Sequence, residues 1–275
     1  MSKNQVGLGL RREIALEICE IQHSRPDFLE LAPENWIEVG GYWKSILSRV
    51  AEQYSFTAHG LSLSIGSTDP FNFEFLKKIK DFLDEYNIEI YSEHLSFSTC
   101  DNAHLYESLP VPFTGDAVKH ISERIRIVQD FMERPLVLEN ITYYTVLEAE
   151  LSEADFFNQI AKESKCKMLL DVNNIFVNSE NHKYNPKKFI EEIDLKNVNY
   201  VHIGGHEATE DGLILDTHGQ RIIQPVYELF DEVMKQLPYA VPVLLERDVN
   251  FDDFIDLKAD MSEIRTILDS NTVNV

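Results

Sequence analysis

The segment YVHIGGHEATEDGLILDTHG, residues 200–219, combines an apolar beginning with several side chains that commonly bind metal ions. His202, His206, Asp216 and His218 all fall within this one stretch. Imidazole and carboxylate donors without a thiolate are typical of iron, manganese, zinc or cobalt sites rather than of structural zinc. The segment alone therefore indicates a possible metal site at the end of a buried strand.

Similar residues recur at the ends of other apolar runs. These ends contain His59, Glu93-His94, Glu139-Asn140, Asp171 with Asn173-Asn174, and Glu246-Arg247-Asp248. Buried carboxylates are costly unless they are paired or bound to a cation, so their repetition predicts a shared metal site. The number of candidate ligands exceeds what one ion takes from protein and suggests two or three metals that share a bridging carboxylate. Two histidines with one carboxylate are typical of non-haem Fe(II), although manganese and zinc fit the same donors.

The elements that must position these residues are eight short apolar runs that alternate with amphipathic helical segments. The runs begin at Val6, Phe28, Phe56, Ile88, Leu136, Met168, Tyr200 and Pro242. This alternation predicts an α/β fold, a (β/α)8 TIM barrel, whose active site lies at the carboxyl ends of the strands. An open doubly wound sheet is the alternative, but no GxGxxG motif follows the first run. No linker interrupts the chain, so residues 1–275 are predicted to form a single domain.

Composition excludes several classes of function. The chain has 47 acidic and 25 basic residues and a formal charge of −22, which disfavours a nucleic-acid partner. No apolar run is long enough for a membrane span, and the N-terminus lacks the layout of a secretion signal, so the cytoplasm is the expected location. The three cysteines form no CxxC pair, which argues against a disulfide framework or a cysteine-ligated zinc site.

The motifs, taken in order, resemble the DUF692 family, also called multinuclear non-haem iron-dependent oxidases, which includes the methanobactin biosynthesis oxidase. They are VGLGLR, FLELAPENW, TAHGLSLSIGS, SEHLSFS, LPVPFT, RPLVLENITYY, LLDVNNIFVN, VHIGGH, LDTHG and LLERD, and they span nearly the whole chain. The resemblance implies a xylose-isomerase-like TIM barrel that binds two or three iron ions. It also implies an enzyme that uses dioxygen to modify cysteine residues of a ribosomally synthesised precursor peptide, together with a separate partner protein that presents the peptide.

The resemblance also implies particular site residues. The implied metal ligands are His59, His94, Glu139, Asp171, Asn174, His202, His206, Asp216, His218 and Glu246. Asp248 is expected to act catalytically by accepting a proton near the metals, with a salt bridge around Arg247 as the alternative. Glu93 is the second candidate catalytic residue. It lies on the opposite face of a regular strand from His94, which favours a supporting role.

Two other classes of function remain open for this sequence. A divalent-metal sugar isomerase or a phosphodiesterase of the endonuclease IV type would use the same barrel, and neither is expected to consume dioxygen. A non-catalytic metal-binding protein is the third hypothesis, and it predicts a complete ligand set with no vacant coordination position.

Overall fold

Twelve strands are present in the computed structural model, which describes residues 4–101, 103–251 and 254–272. In chain order they are β1 (Val6–Gly9), β2 (Leu29–Leu31), β3 (Phe56–His59), β4 (Tyr91–His94), β5 (Phe97–Cys100), β6 (Ala103–Leu109), β7 (Leu136–Glu139), β8 (Lys167–Asp171), β9 (Val198–Gly204), β10 (Glu207–Ala208), β11 (Ile214–Leu215) and β12 (Val243–Glu246). Eight of them coincide with the eight predicted apolar runs.

Those eight strands pair in parallel as a closed barrel in the order β1-β12-β9-β8-β7-β4-β3-β2. The ring is closed because β1 pairs with both β2 and β12. The prediction of a TIM barrel is therefore confirmed, and an open doubly wound sheet is excluded. That residues 1–275 form a single domain stays a prediction.

Helices surround the barrel between successive strands. They are α1 (Ala15–Glu20), α2 (Gly41–Ala51), α3 (Phe73–Glu85), α4 (Gly115–Met132), α5 (Glu153–Ser164), α6 (Val172–His182), α7 (Pro186–Glu192), α8 (Gln224–Gln236) and α9 (Phe254–Thr272). Side-chain caps begin several of them. For example, Asn72 accepts a hydrogen bond from the Phe75 amide and Thr114 accepts one from the Ala117 amide. Among the described residues, no helix is long and apolar enough to cross a membrane.

The sixth apolar run, MLLDVNNIFV, is only half strand. The strand β8 ends at Asp171, and the remainder of the run is the start of α6. The change occurs at Asp171 because its Oδ1 accepts a hydrogen bond from the Asn174 amide at 2.6 Å and caps the helix. The predicted end of the sixth strand at Asp171 is therefore confirmed, and this residue both ends a strand and begins a helix.

An apolar layer lies beneath the polar residues inside the barrel. Val137, Leu169 and Tyr200 form a separate buried cluster. Each precedes by two positions a candidate ligand on the same strand, and residues two apart in a strand face the same side. The interior is thus apolar in one layer and ionisable in the next layer toward the carboxyl ends.

Two small hairpins extend from the barrel after candidate ligands. The strands β5 and β6 pair as an antiparallel hairpin following β4, and β10 pairs with β11 following β9. Both hairpins follow the carboxyl ends of barrel strands, so they lie on the side where TIM-barrel active sites are built.

A buried ion pair fixes the last strand to the last helix. Arg247, directly after β12, lies 3.2 Å from Asp260 of α9, and both residues are buried. The same carboxylate accepts hydrogen bonds from Arg221 and from the Tyr227 hydroxyl, both at 3.0 Å. Asp260 therefore satisfies three donors from three segments.

Asp260→Ala is expected to lower the free energy of unfolding by about 3–5 kcal/mol, because it leaves a buried guanidinium without its partner. Urea unfolding followed by circular dichroism measures the change. Asp256→Ala is the matched control, since Asp256 lies 3.9 Å from Arg221 and is partly exposed, and it should change stability by about 0.5 kcal/mol or less. Equal effects of the two substitutions would contradict the assigned role of Asp260.

Candidate metal centre

Three groups of potential metal ligands meet at the carboxyl ends of the barrel strands. They are His59, His94 and Glu139; Glu139, Asp171, His202 and Glu246; and His218, Glu246 and Asp248. Within each group the ligand atoms lie within 4.8 Å of one another. Glu139 belongs to the first two groups and Glu246 to the last two. The three groups are thus linked in a row by shared carboxylates.

In the first group, two imidazoles and one carboxylate converge. The Nε2 atoms of His59 and His94 lie 3.2 Å apart, and they lie 3.3 and 3.5 Å from Oε2 of Glu139. Burial lowers the pKa of both histidines, which favours their neutral, metal-binding form. Two neutral imidazole nitrogens this close to a carboxylate are arranged as ligands of one cation would be.

The second group concentrates carboxylates in the barrel interior. Burial raises the pKa of Glu139 to about 7. Burial, followed by the charge of Glu139, raises the pKa of Asp171 well above its usual value. Asp171 is fully buried, and its Oδ2 has no hydrogen-bond partner. An unsatisfied buried carboxylate oxygen is costly, and a cation is the usual way to compensate it.

His202 lies at the centre of the second group. Its Nδ1 is 3.0 Å from Oε2 of Glu246 and 3.8 Å from Oε1 of Glu139. Its Nε2 is on the other side of the ring, 2.9 Å from Oε1 of Glu30. Burial acts to lower the pKa of His202, but the charges of Glu30 and Glu246 raise it well above its usual value.

The third group lies nearer the surface, around His218. Its Nδ1 is 3.2 Å from Oδ2 of Asp248 and 3.6 Å from Oε1 of Glu246. Its Nε2 is 2.7 Å from Oδ1 of Asp216, yet it makes no hydrogen bond there. Asp248 also pairs with Arg11. Asp248 was predicted to form a salt bridge around Arg247. Its partner is Arg11 instead, and Arg247 pairs with Asp260.

The donor set fits divalent cations. The three groups contain only imidazole nitrogens and carboxylate oxygens, and two buried atoms in them, Asp171 Oδ2 and His218 Nε2, lack hydrogen bonds. Oxygen and imidazole donors suit iron, manganese and zinc alike. Bridging carboxylates are what adjacent metal ions require, so the arrangement can hold more than one ion.

Three predicted ligands lie at the edge of this centre. Asp216 approaches His218 but also accepts a hydrogen bond from the Asn173 amide at 2.7 Å. The Asn174 amide is 3.4 Å from Oε1 of Glu139. His206 lies outside all three groups. Its Nδ1 is 2.8 Å from Oδ1 of Asn173, and its ring stacks on Phe176. Of the three, the position of His206 supports the ligand prediction least.

Glu93 does not line the centre. Its Oε1 accepts hydrogen bonds from the Tyr91 hydroxyl at 2.8 Å and the Leu63 amide at 3.2 Å. A Cβ placed on Gly60 would lie 2.1 Å from the same oxygen, so the backbone passes directly over this carboxyl group. Burial and the charge of Glu34 raise the pKa of Glu93 well above its usual value. Its position favours support of the loop after His59 over a catalytic role.

Two polar residues at the centre were missed by the sequence reasoning. Glu30, in the middle of β2, is buried and contacts His202. Arg11 follows β1 and contacts Asp248. The signal for Glu30 was an acidic residue inside the apolar run FLELAP, but only residues at strand ends were considered. Arg11 carried no signal that distinguishes it from a surface arginine.

A cavity of about 310 Å³ opens over the centre. Its lining residues are Arg11, Glu30, Leu31, Ala32, Asn35, His59, Leu61, His94, Asp216, His218, Glu246 and Asp248. Among these residues Arg11 is the only lysine or arginine. The cavity therefore brings a small molecule or a side chain to the shared carboxylate Glu246 and to histidines of the first and third groups.

The chain was compared with known proteins both by its sequence and by its fold. A family model described as RiPP precursor modification enzyme MbnB/TglH/ChrH, where RiPP denotes a ribosomally synthesised and post-translationally modified peptide, matches residues 5–269. A UPF0276 protein from Shewanella oneidensis is 45% identical over 260 residues, which cover 94% of this chain and 92% of the relative.

Solved structures match the fold at much lower identity. A D-psicose 3-epimerase crystallised in the presence of D-fructose has a TM-score of 0.62 at 13% identity, with 98% of each chain covered. A xylose isomerase domain protein from Alicyclobacillus acidocaldarius has a TM-score of 0.61 at 12% identity, also over 98% of each chain. Identities this low show the fold alone, and they confirm the xylose-isomerase-like barrel.

Glu139→Gln is expected to reduce the number of divalent ions bound, because Glu139 is shared by two ligand groups. Glu93→Gln is the matched control and should leave metal content unchanged, because Glu93 faces away from all three groups. Elemental analysis of proteins purified under identical conditions measures both. Loss of metal in the Glu93 variant would place that residue at the centre after all.

Asp171→Asn is expected to weaken metal binding but to increase the stability of the metal-free protein. Because the pKa of Asp171 is raised in the fold, the ionised carboxylate destabilises the folded state at pH values above its unfolded pKa of about 3.9. Asparagine still caps α6 but removes the charge. Metal-free Asp171→Asn should therefore be more stable at pH 7 by about 1–3 kcal/mol, and it should bind fewer ions.

Urea unfolding of chelator-treated proteins at pH 7 and pH 4 tests this expectation. Most of the stability gain should be lost at pH 4, because this pH is close to the unfolded pKa and about half of the unfolded wild-type chains then hold the proton that the folded protein also holds. Asp81→Asn, an exposed substitution on α3, is the control and should stay within about 0.5 kcal/mol at pH 7. A metal-free Asp171→Asn protein that is less stable than wild type at pH 7 would contradict the expectation.

Proposed function

Because the chain belongs to the MbnB/TglH/ChrH family of RiPP precursor modification enzymes, we propose that it is a multinuclear iron-dependent oxidase that modifies cysteine residues of a precursor peptide with dioxygen. The observation that supports this most directly is the row of three ligand groups joined by Glu139 and Glu246 under an open cavity. Two or three iron ions would occupy these groups.

In this proposal each group would hold at most one ion. The ligands would come from His59, His94, Glu139, Asp171, His202, Glu246 and His218. Asp216 and Asn174 are available at the edge of the groups. Bound iron would supply the activation of dioxygen and a binding position for the substrate thiolate. The protein contributes donors held rigidly at strand ends, and it leaves one side of the row open to the cavity.

The cavity limits what can reach the centre. A volume of about 310 Å³ accommodates a cysteine side chain and a small co-substrate such as dioxygen, but not a folded peptide. A precursor peptide would therefore lie across the mouth and insert one residue. Glu139 and Asp171 lie buried beneath the cavity, so bulk water would be excluded from that side of the reacting groups.

Asp248 is the proposed proton acceptor for the substrate thiol. It lines the cavity and lies 3.2 Å from Nδ1 of His218. Burial acts to raise the pKa of Asp248, but its hydrogen bond with His218 and the charge of Arg11 hold it below the usual value. Asp248 is therefore ionised at neutral pH and oriented by two partners, while Arg11 keeps its carboxylate directed toward the cavity.

The surface around the cavity fits a peptide substrate and a partner protein that presents it. Exposed apolar side chains occur on loops after four of the barrel strands. They are Leu61 after β3, Tyr144 and Leu147 after β7, Leu213 between β10 and β11, and Val249 after β12. These loops lie at the carboxyl face of the barrel, where the cavity opens. Exposed apolar residues around a polar cavity are typical of surfaces that bind other chains.

The alternative functions fit this site less well. A phosphodiesterase would need cations to hold phosphate, whereas Arg11 is the only lysine or arginine among the cavity-lining residues and is already paired with Asp248. A storage protein would need a closed ligand set, whereas this row faces a cavity. A sugar isomerase shares the fold, and dioxygen consumption distinguishes it from an oxidase.

The double variant Glu139→Ala/His202→Ala is expected to lose iron binding and, with it, dioxygen consumption in the presence of a cysteine-containing precursor peptide. Both residues contribute to the central group, so no complete ligand set remains there. Anaerobic purification followed by metal analysis measures iron, and an oxygen electrode with mass spectrometry of the peptide measures turnover.

His23→Ala is the matched control, because His23 is exposed and far in sequence from every ligand. It should retain iron and activity. Wild-type protein from iron-rich medium that holds stoichiometric zinc and no iron would overturn the proposal, as would iron-loaded protein that consumes no dioxygen with its peptide.

A further inference from the structure

A continuous hydrogen-bonded chain runs beneath the metal centre and ends at Glu30. The Nδ1 atom of His59 is 2.8 Å from the Ser92 hydroxyl, which contacts the Tyr200 hydroxyl. The Tyr200 hydroxyl donates to Oε2 of Glu30 at 2.9 Å. These residues come from β3, β4, β9 and β2, so the chain crosses the interior of the barrel.

The direction of this chain follows from its last member. The Thr57 and Tyr200 hydroxyls both donate to Oε2 of Glu30, and Nε2 of His202 lies 2.9 Å from Oε1, so the carboxylate is surrounded by donors and acts as the acceptor. Tyr200 must then use its single proton toward Glu30, so Ser92 must donate to Tyr200. The carbonyl of Ala58 is the other acceptor for Ser92, at 3.3 Å.

The same reasoning fixes the proton on His59. Because the Ser92 proton is directed toward Tyr200, the Ser92 oxygen is available to His59 only as an acceptor. His59 must therefore carry its proton on Nδ1 and present the lone pair of Nε2. That Nε2 is the atom that faces His94 and Glu139 in the first ligand group.

Glu30 acts on His202 from the other side. Its Oε1 lies 2.9 Å from Nε2 of His202, which has no other hydrogen-bond partner among the described residues, so Glu30 faces this nitrogen as an acceptor. With Nε2 directed to Glu30, His202 presents Nδ1 to Glu246 and Glu139. The Thr57 hydroxyl also donates to Glu30 at 3.0 Å, but it leads to no ligand.

We propose that Glu30 is a positioning residue that sets the proton position of two metal-binding histidines at once, of His202 directly and of His59 through Tyr200 and Ser92. The inference rests on the proposed metal-binding role of these histidines and not on the oxidase reaction. A carboxylate that orients a metal-bound histidine is a common device, and here one carboxylate serves two ligand groups.

Glu30→Gln tests the remote half of the proposal. If the glutamine carbonyl faces His202, its amide group faces Tyr200 and can only donate, so Tyr200 must turn its proton toward Ser92. Ser92 then donates toward His59, which favours a proton on Nε2 of His59, the atom that should bind metal. The substitution reverses the chain without touching His59.

The measurement is the proton position of His59 in the metal-free protein, read by long-range 15N–1H NMR of histidine-labelled samples. Wild type should hold the proton on Nδ1, and Glu30→Gln should shift it toward Nε2. In a Tyr200→Phe background the chain is interrupted, so adding Glu30→Gln should have no further effect on His59. Thr57→Val is the matched control and should leave His59 unchanged.

Zinc affinity gives a second readout, independent of iron and turnover. Glu30→Gln should weaken zinc binding by about 10–100-fold, the usual effect of removing such an orienting partner. If Glu30→Gln fails to fold, Ser92→Ala replaces it and should abolish the preference of His59 for Nδ1. A wild-type His59 protonated on Nε2, or a Glu30→Gln effect that survives in the Tyr200→Phe background, would overturn the proposal. Inactive iron-loaded protein would overturn only the proposed function.

Discussion

The cost of burying ionisable side chains at the mouth of a closed barrel is the constraint on which the rest of this structure depends. Glu139, Asp171 and Glu246 place three carboxylates in one ligand group, and each is buried. Like charges at such distances repel strongly in an environment of low polarity. Interleaved histidines relieve part of this repulsion, and bound cations would relieve the remainder. In the metal-free protein, the buried charges that would bind metal therefore lower the stability of the fold. Bound cations would turn the same charges into a stabilising feature.

The barrel itself could be predicted because its signal is repeated along the whole chain. Each strand is a short apolar run that can be distinguished from the helices on either side of it. The closed barrel consists of eight such strands. In MLLDVNNIFV apolar residues continue beyond Asp171, yet the strand ends there because the Asp171 side chain caps α6. The hairpin strands β10 and β11 gave no signal, because two residues are too few for a period.

The candidate site was predictable as a set of residues but not as an arrangement. Strand alternation indicated that Glu93 and His94 face opposite sides, and the structure agrees. The sharing of Glu139 and Glu246 between groups depends on the stagger of neighbouring strands in the closed barrel, which no single segment encodes. Glu30 was missed because its role comes from a contact with His202, a residue distant in sequence and brought near only by closure.

The order of the strands along the chain has a consequence for synthesis. Glu246, which joins two of the ligand groups, lies in the barrel strand made last, and the ring closes only when that strand meets β1. A nascent chain that lacks β12 would hold six of the eight residues of the three ligand groups but no complete row. Chains truncated before β12 would lack Glu246 and Asp248, so the three ligand groups could not be joined into one row until the whole barrel had been made.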